Sequence, residues 1–210
     1  MNKKIVAIIT AGGNSTRFGS NKLLQKLKDY TVIETTILKF LDIVDEIVIP
    51  VGSETKEFIL KSEVYCNKIT FAPAGSTRQK SVYNAINSIN DCDIVLIHDG
   101  ARPYISAKTI KEAIELTKKN KAVVVGKMAV DTIKTVENGV IVNTLDRNHI
   151  FYAQTPQCFE FSLIKNIHEK YKDLSGFTDD SSMLENEGIK PCILISEGKN
   201  DKITLKEDLE

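Results

Sequence analysis

The chain has 210 residues, 42% of them hydrophobic, enough to bury one substantial core, so a single domain spanning residues 1–210 is expected. Its 28 lysines and arginines balance 28 aspartates and glutamates. That balance leaves no global field to draw the protein to nucleic acid or an anionic membrane, and any anion site has to be local. The first apolar run, residues 5–9, is too short for a secretion signal or a membrane span, so a cytoplasmic location is expected. Cys66, Cys92, Cys158 and Cys192 are widely spread without a C-x-x-C pair. They read as reduced structural thiols rather than a zinc knuckle or a disulfide framework.

In chain order, strands are expected at residues 4–9, 46–51, 68–71, 93–98, 122–127 and 191–196, several of them continuous Val/Ile runs that imply burial on both faces. Helices are expected at residues 32–41, 54–61, 79–89, 107–120, 161–171 and 179–187. This alternation predicts an α/β fold of Rossmann-like type: a mostly parallel sheet flanked by helices, with its ligand site beyond the carboxyl ends of the strands. One segment departs from the pattern. Residues 131–148, DTIKTVENGVIVNTLDRN, read as two extended pieces joined at Asn138 and Gly139, a hairpin turn. Such an arm protrudes from a parallel-sheet domain, and its valines would be exposed on a lone two-stranded ribbon, so it is expected to pack on a second copy in a homodimer.

The stretch after the first strand, TAGGNSTRFGSNK, combines Gly12, Gly13 and Gly19 with two cations, Arg17 and Lys22. It is neither a dinucleotide fingerprint nor a P-loop. Its glycines suit a backbone that approaches a ligand closely and points N–H groups at phosphate, although an ordinary strand-to-helix turn with two solvated cations would look the same. Two further strand-end loops narrow the choice. HDGARP, residues 98–103, brings Asp99 and Arg102 to the edge where Arg17 and Lys22 lie, and a carboxylate there can hold a ribose hydroxyl or a magnesium ion. GSTRQKSV, residues 75–82, offers backbone groups with Ser76, Arg78 and Ser81 for reading the edge of a base. Taken singly, Asp99 could be a turn cap and Ser76 a helix cap. Of the histidines, His98 is expected to pack or bond at a strand end, and His149 and His168 to be solvated or near the substrate entrance.

Together with DTIK, DRNHIFYAQTPQCF, FTDDSSMLE and KITLKEDL, these motifs resemble, in order and spacing over nearly the whole chain, the cytidylyltransferases that act on polyol phosphates. Among these the resemblance is greatest to the family whose acceptor is 2-C-methyl-D-erythritol 4-phosphate. It implies cytidylyl transfer from CTP with release of pyrophosphate, aided by Mg²⁺, in a homodimer joined through the arm. It also implies roles: Arg17 and Lys22 as catalytic cations; Ala11, Gly12, Gly13, Gly75, Ser76, Ser81, Asp99 and Ala101 at the nucleotide; Arg147, Thr155, Thr178 and Lys202 at the second substrate. Arg78 and Arg102 would brace their loops, and Asp99 would lie near the metal.

Four details depart from the family's pattern. Asn21 stands where proline commonly precedes the lysine, Ser76 where aspartate is frequent, the segment ending in DKIT is about two residues shorter, and KEDLE stands where relatives continue as a helix, which implies a truncated or short terminal helix. No nucleophile-and-base constellation is needed for this chemistry, because a phosphate monoester is already anionic near neutral pH. Ribitol 5-phosphate or another polyol phosphate is the alternative acceptor, and a non-catalytic nucleotide-binding regulator the alternative class.

Overall fold

The computed structural model describes residues 3–13 and 18–209. The first half of the chain forms β1 (Ile5–Thr10), β2 (Lys26–Leu27), β3 (Tyr30–Thr31), α1 (Val32–Phe40), β4 (Glu46–Val51), α2 (Ser53–Lys61), β5 (Ile69–Pro73), α3 (Arg78–Ser88) and β6 (Ile94–Asp99). The second half forms α4 (Ala107–Asn120), β7 (Ala122–Met128), β8 (Ile133–Glu137), β9 (Val140–Leu145), β10 (Phe151–Glu160), α5 (Phe161–Lys170), α6 (Asp180–Asn186) and β11 (Cys192–Ile195). All the strand and helix segments expected from the sequence are present, with end points shifted by at most a residue or two.

One sheet runs in the order β11-β7-β10-β6-β1-β4-β5. β1 pairs in parallel with β4 and β6, β4 with β5, and β7 with β11. The predicted mostly parallel sheet is therefore formed. Strand β10, which the sequence pattern does not reveal, lies antiparallel between β6 and β7. Its register shifts between Ala153 and Gln157, a stretch that contains Pro156.

The strands are apolar on both faces because helices cover both. Ala7 and Ile9 of β1 face a cluster with Ile33 and Ile37 of α1 and Ile110 and Ala113 of α4. Val6 and Ile8 face the other cluster, with Val82 and Ile86 of α3, Ile164 of α5 and Leu184 of α6. This is period-two alternation along a strand sandwiched between two helical layers. Local signals agree with the packing: Thr31 and Glu34 form a reciprocal capping box at the start of α1, and Ser106 caps α4 by accepting from the Thr109 N–H.

The arm forms as expected. β8 and β9 make a two-stranded sheet of their own, turned by Asn138 at φ 48° and Gly139 at φ 81°. Positive φ at both central residues is the turn whose twist matches the flanking strands. Val136, Val140, Ile141 and Val142 are each more than half exposed, so the arm is not folded back on the central sheet. All four cysteines are free thiols, and burial pushes the Cys92 thiol up to about 12. Among the described residues, no helix is long and apolar enough to cross a membrane.

Candidate active site

The parallel strands bring their carboxyl ends to one edge of the sheet. β1 delivers Gly12 and Gly13 there, β5 the turn at residues 74–77, and β6 the residues from Asp99 to Arg102. β10 reaches the same edge from the opposite direction. Because Gln157 pairs with Ile97, Thr155 falls beside Asp99, and its hydroxyl accepts the Asp99 N–H at 3.0 Å. Beyond β11 the chain crosses this edge as a strap, residues 196–205, fixed where the Ile203 N–H donates to the Ala101 carbonyl at 2.8 Å.

A cleft of about 480 Å³ opens between these segments, walled by Gly12, Gly13 and Lys22 on one side, the turn at residues 75–77 with Ser81 on another, and Asp99, Ala101, Lys202 and Thr204 behind. Among the described lining residues, three cations, Lys22, Arg78 and Lys202, face one carboxylate, Asp99. A chain of balanced charge thus concentrates positive potential in one concavity, which is what a polyanionic ligand requires.

Asp99 is the electrostatic centre. Its Oδ1 accepts from Arg78 Nε at 3.2 Å and its Oδ2 from Lys202 Nζ at 2.8 Å, with Arg102 Nε 3.5 Å away. Burial opposes its ionisation, but Arg78, Lys202 and Arg102 outweigh burial and hold the carboxyl well below the usual range. Lys22 Nζ donates to the Ile203 carbonyl at 2.8 Å, tying the first loop to the strap. His98, fully buried in β6, supports Asp99 from beneath. Its Nε2 faces the Arg102 carbonyl at 3.1 Å and its Nδ1 the Thr155 hydroxyl at 3.1 Å. A carbonyl only accepts, so Nε2 carries the proton, Nδ1 accepts from Thr155, and the Thr155 oxygen is left to accept from Asp99. Burial lowers the His98 pKa to about 4, which keeps this neutral tautomer in place near pH 7.

The turn at residues 75–77 is closed by Ser81, whose Oγ accepts from the Gly75 N–H at 2.9 Å and donates to the Thr77 carbonyl at 2.9 Å. Gly75 is required there: a Cβ would lie 2.7 Å from the Lys80 carbonyl carbon and 2.7 Å from the Ser81 nitrogen. The turn can therefore double back on the first turn of α3 and leave the exposed Ser76 and the loop backbone along the cleft wall.

The family model for 2-C-methyl-D-erythritol 4-phosphate cytidylyltransferase matches residues 5–210. A curated relative of that name from Clostridioides difficile is 40% identical, covering 97% of this chain and 90% of the relative. The chain belongs to the 2-C-methyl-D-erythritol 4-phosphate cytidylyltransferase family. A relative of the same name from Dictyoglomus thermophilum is 39% identical over 99% of this chain and 94% of its own. Among solved structures, the 4-diphosphocytidyl-2C-methyl-D-erythritol synthase of Anaerococcus prevotii superposes with a TM-score of 0.88 at 29% identity, covering 99% of this chain and 93% of that one. The Francisella tularensis cytidylyltransferase superposes at 0.84 and 33% identity, covering 98% and 96%.

Of the residues singled out in the sequence, the cleft brings together Gly12, Gly13, Lys22, Gly75, Ser76, Arg78, Ser81, Asp99, Ala101 and Lys202. Ala11 is buried and bridges to Val51, and it lines an adjoining depression at the start of α2. Arg102 supports from behind, with Nη1 donating to the Asn200 carbonyl at 2.8 Å. Arg147 sits on an exposed turn at the base of the arm and donates to the Val130 carbonyl. Thr178 is exposed just before α6. Neither lines the cleft. Arg17 lies outside the described residues.

His168 corrects the expectation of a solvated side chain: it is buried in α5, with Nε2 3.0 Å from Asp180 Oδ1. Its place on the apolar stripe with Phe161, Ile164 and Ile167 is the sequence signal that reveals this. His149 is exposed, as expected. No role was expected individually for Thr10, Phe18, Leu23 or Thr204, which also line the cleft, nor for Asp180, which is fully buried and pairs with Arg78 at 2.7 Å. Thr10, one residue past the expected strand and the last of β1, opens the glycine-rich stretch and could have been found from that alone.

Proposed function

We propose that this cleft carries the family's reaction, transferring the cytidylyl group of CTP to 2-C-methyl-D-erythritol 4-phosphate to give CDP-methylerythritol and pyrophosphate, with the described residues acting as one cytoplasmic domain. The observation that carries the reading is the convergence of the first loop, the turn at residues 75–77, Asp99 and Lys202 on one cationic concavity. The backbone of Gly75 and Ser76 and the remaining lone pair of Ser81 read the cytosine edge. Gly12 and Gly13 lie along the phosphates, and Ala101 sits beside the nucleoside.

The acceptor phosphate, with a second pKa of about 6, is largely dianionic at neutral pH and attacks the α-phosphorus in line. No group has to remove a proton. His98, held neutral and with both ring nitrogens engaged, takes no part in the chemistry. The obstacle is repulsion between two polyanions. Lys22 and Arg17 offset it at the α-phosphate and Lys202 at the acceptor, with Lys22 and Lys202 exchanging the Ile203 carbonyl and Asp99 for phosphate oxygens. Asp99 as a single carboxylate, completed by phosphate oxygens, suits Mg²⁺, which takes one or two carboxylates together with substrate phosphates. Bound there, the ion would neutralise charge on the triphosphate.

The same reading assigns Arg147, Thr155 and Thr178 to the acceptor. Thr155 acts through its contact with Asp99. Arg147 requires a second copy, because it stands away from its own cleft beside an arm whose valines are exposed. A homodimer in which the arms cross buries those valines and carries Arg147 toward the partner's cleft.

Pyrophosphate release is to be measured with CTP, UTP, ATP and GTP against 2-C-methyl-D-erythritol 4-phosphate and ribitol 5-phosphate, with products identified by mass. CTP should exceed UTP by at least about tenfold, since a buried polar group left unpaired by the wrong base costs about 1–3 kcal/mol. Equal use of CTP and UTP, or preference for ribitol 5-phosphate, refutes the respective assignment.

A further inference from the structure

Asp180 opens α6 with no exposed surface, and it has three independent ties. Its Oδ2 accepts from Arg78 Nη1 at 2.7 Å, its Oδ1 faces His168 Nε2 at 3.0 Å, and its backbone N–H donates to Gln157 Oε1 at 3.1 Å. Gln157, itself buried in β10, also receives the Ser181 N–H and donates to Asp179, so α6 begins against a strand that fills the middle of the sheet. Arg78 passes the connection on, its Nε bonded to Asp99 Oδ1 at 3.2 Å. The chain of contacts therefore runs His168, Asp180, Arg78, Asp99, Lys202, from the back of α5 to the lining of the cleft.

Packing alone does not call for this arrangement. A buried ion pair contributes little net stability compared with apolar side chains of the same volume, and losing one partner is strongly destabilising. Within the described residues, His168 Nδ1 and Arg78 Nη2 find no hydrogen-bond partner in this network. Burial opposes the Asp180 charge, yet Arg78 and His168 keep the carboxyl ionised, below its usual range. What the network does supply is direction. Arg78 is the first residue of α3, directly after the turn at residues 75–77. With Nη1 taken by Asp180 and Nε by Asp99, its guanidinium is fixed between the two carboxylates instead of swinging into the nucleotide space.

We propose that Asp180, oriented by His168 and Gln157, is a positioning residue that holds Arg78, and through it the base-facing turn and Asp99, in the geometry that accepts the nucleotide. Because Asp180 follows Thr178 by two positions, the same carboxylate links the loop assigned to the acceptor with the nucleotide half of the cleft. The inference rests on the nucleotide reading given above.

The experiment compares Asp180→Asn, His168→Leu and His168→Gln with the wild-type enzyme, measuring KM for CTP, kcat and the thermal midpoint of each. Asparagine keeps the shape of Asp180 without its charge, and glutamine can place an N–H where His168 Nε2 stands. Asp180→Asn is expected to raise KM for CTP by about tenfold with a smaller change in kcat, because Arg78 is released from one of its two anchors. His168→Leu should shift KM in the same direction and His168→Gln should restore it. Variants with lowered midpoints but wild-type KM for CTP, measured well below those midpoints, would overturn the proposal by showing a purely structural role. If Asp180→Asn does not fold, the pair of His168 variants decides: equal KM for Leu and Gln overturns the proposal. A wild-type enzyme that turns over without CTP would instead refute the nucleotide reading itself.

Discussion

His98 makes a prediction about acid stability whose size follows from the structure. Its imidazole has no exposed surface, lies against Phe40 with ring centroids 4.8 Å apart, and has both nitrogens engaged. A second proton would have to enter at Nδ1, against a Thr155 oxygen that already accepts the Asp99 N–H. Burial is the main reason the pKa falls from 6.5 to about 4, and Arg102 and Arg78 add to it against the opposing pull of the Arg102 carbonyl and Asp99. The unfolded chain takes up this proton near pH 6.5, the folded chain only near pH 4. The stabilising contribution is therefore complete above pH 6.5 and is lost as pH falls toward 4. At about 1.4 kcal/mol per tenfold change in proton affinity, wild-type protein should lose about 2.5 kcal/mol from this group between pH 7 and pH 4.5. Urea unfolding at those two pH values, for wild type, His98→Asn and His98→Gln, measures it. Neither amide titrates, so both variants should show that much less pH dependence whatever their absolute stability. Identical pH dependence in all three proteins would refute the reasoning. Stopping at pH 4.5 keeps Asp99 and Asp180 ionised in both states for the most part, so their loss at lower pH does not enter.

Two further outcomes follow. Gly75→Ala should raise KM for CTP by about tenfold or more, because its Cβ would meet backbone atoms of Lys80 and Ser81 at 2.7 Å and the turn has to open; steady-state kinetics beside a thermal scan checks this, and an unchanged KM contradicts it. Mixing Arg17→Ala and Arg147→Ala subunits should recover activity in the mixed dimer, where one cleft has both arginines; no recovery despite demonstrated subunit exchange would mean that Arg147 serves its own chain.

The fold was legible in the sequence wherever one period dominated. α4, with a clean helical stripe, a serine cap and a left-handed stop at Lys121, was delimited correctly, as was β4 with its Val/Ile run. β10 was hidden because its middle holds Gln154, Thr155, Pro156 and Gln157, polar or ring-constrained residues that do not read as a buried strand. They are buried because β6 and β7 flank the strand and because partners come from several elements: Thr155 bonds to His98 of β6, Gln154 to Asn200 of the strap and Gln157 to the start of α6. The cleft was legible for a related reason: a parallel sheet sends its strand ends to one edge, so polar loops far apart in sequence could be grouped before any contact was known. Asp180 was not, since the partner that explains it stands 102 positions away at Arg78 and local reading sees only the first turn of a helix; the burial of His168 was signalled by its apolar stripe, but its contact with Asp180 was not.

The central claim is that the cationic cleft acts on charge that develops during transfer rather than on the bound nucleotide. Lys22→Ala tests it directly, with the CTP dissociation constant measured by calorimetry and kcat measured at saturating CTP and acceptor. The expected result is a kcat lower by about 10²-fold or more with CTP affinity changed by no more than about fivefold. A variant that fails to bind CTP but turns over normally once saturated would contradict the account.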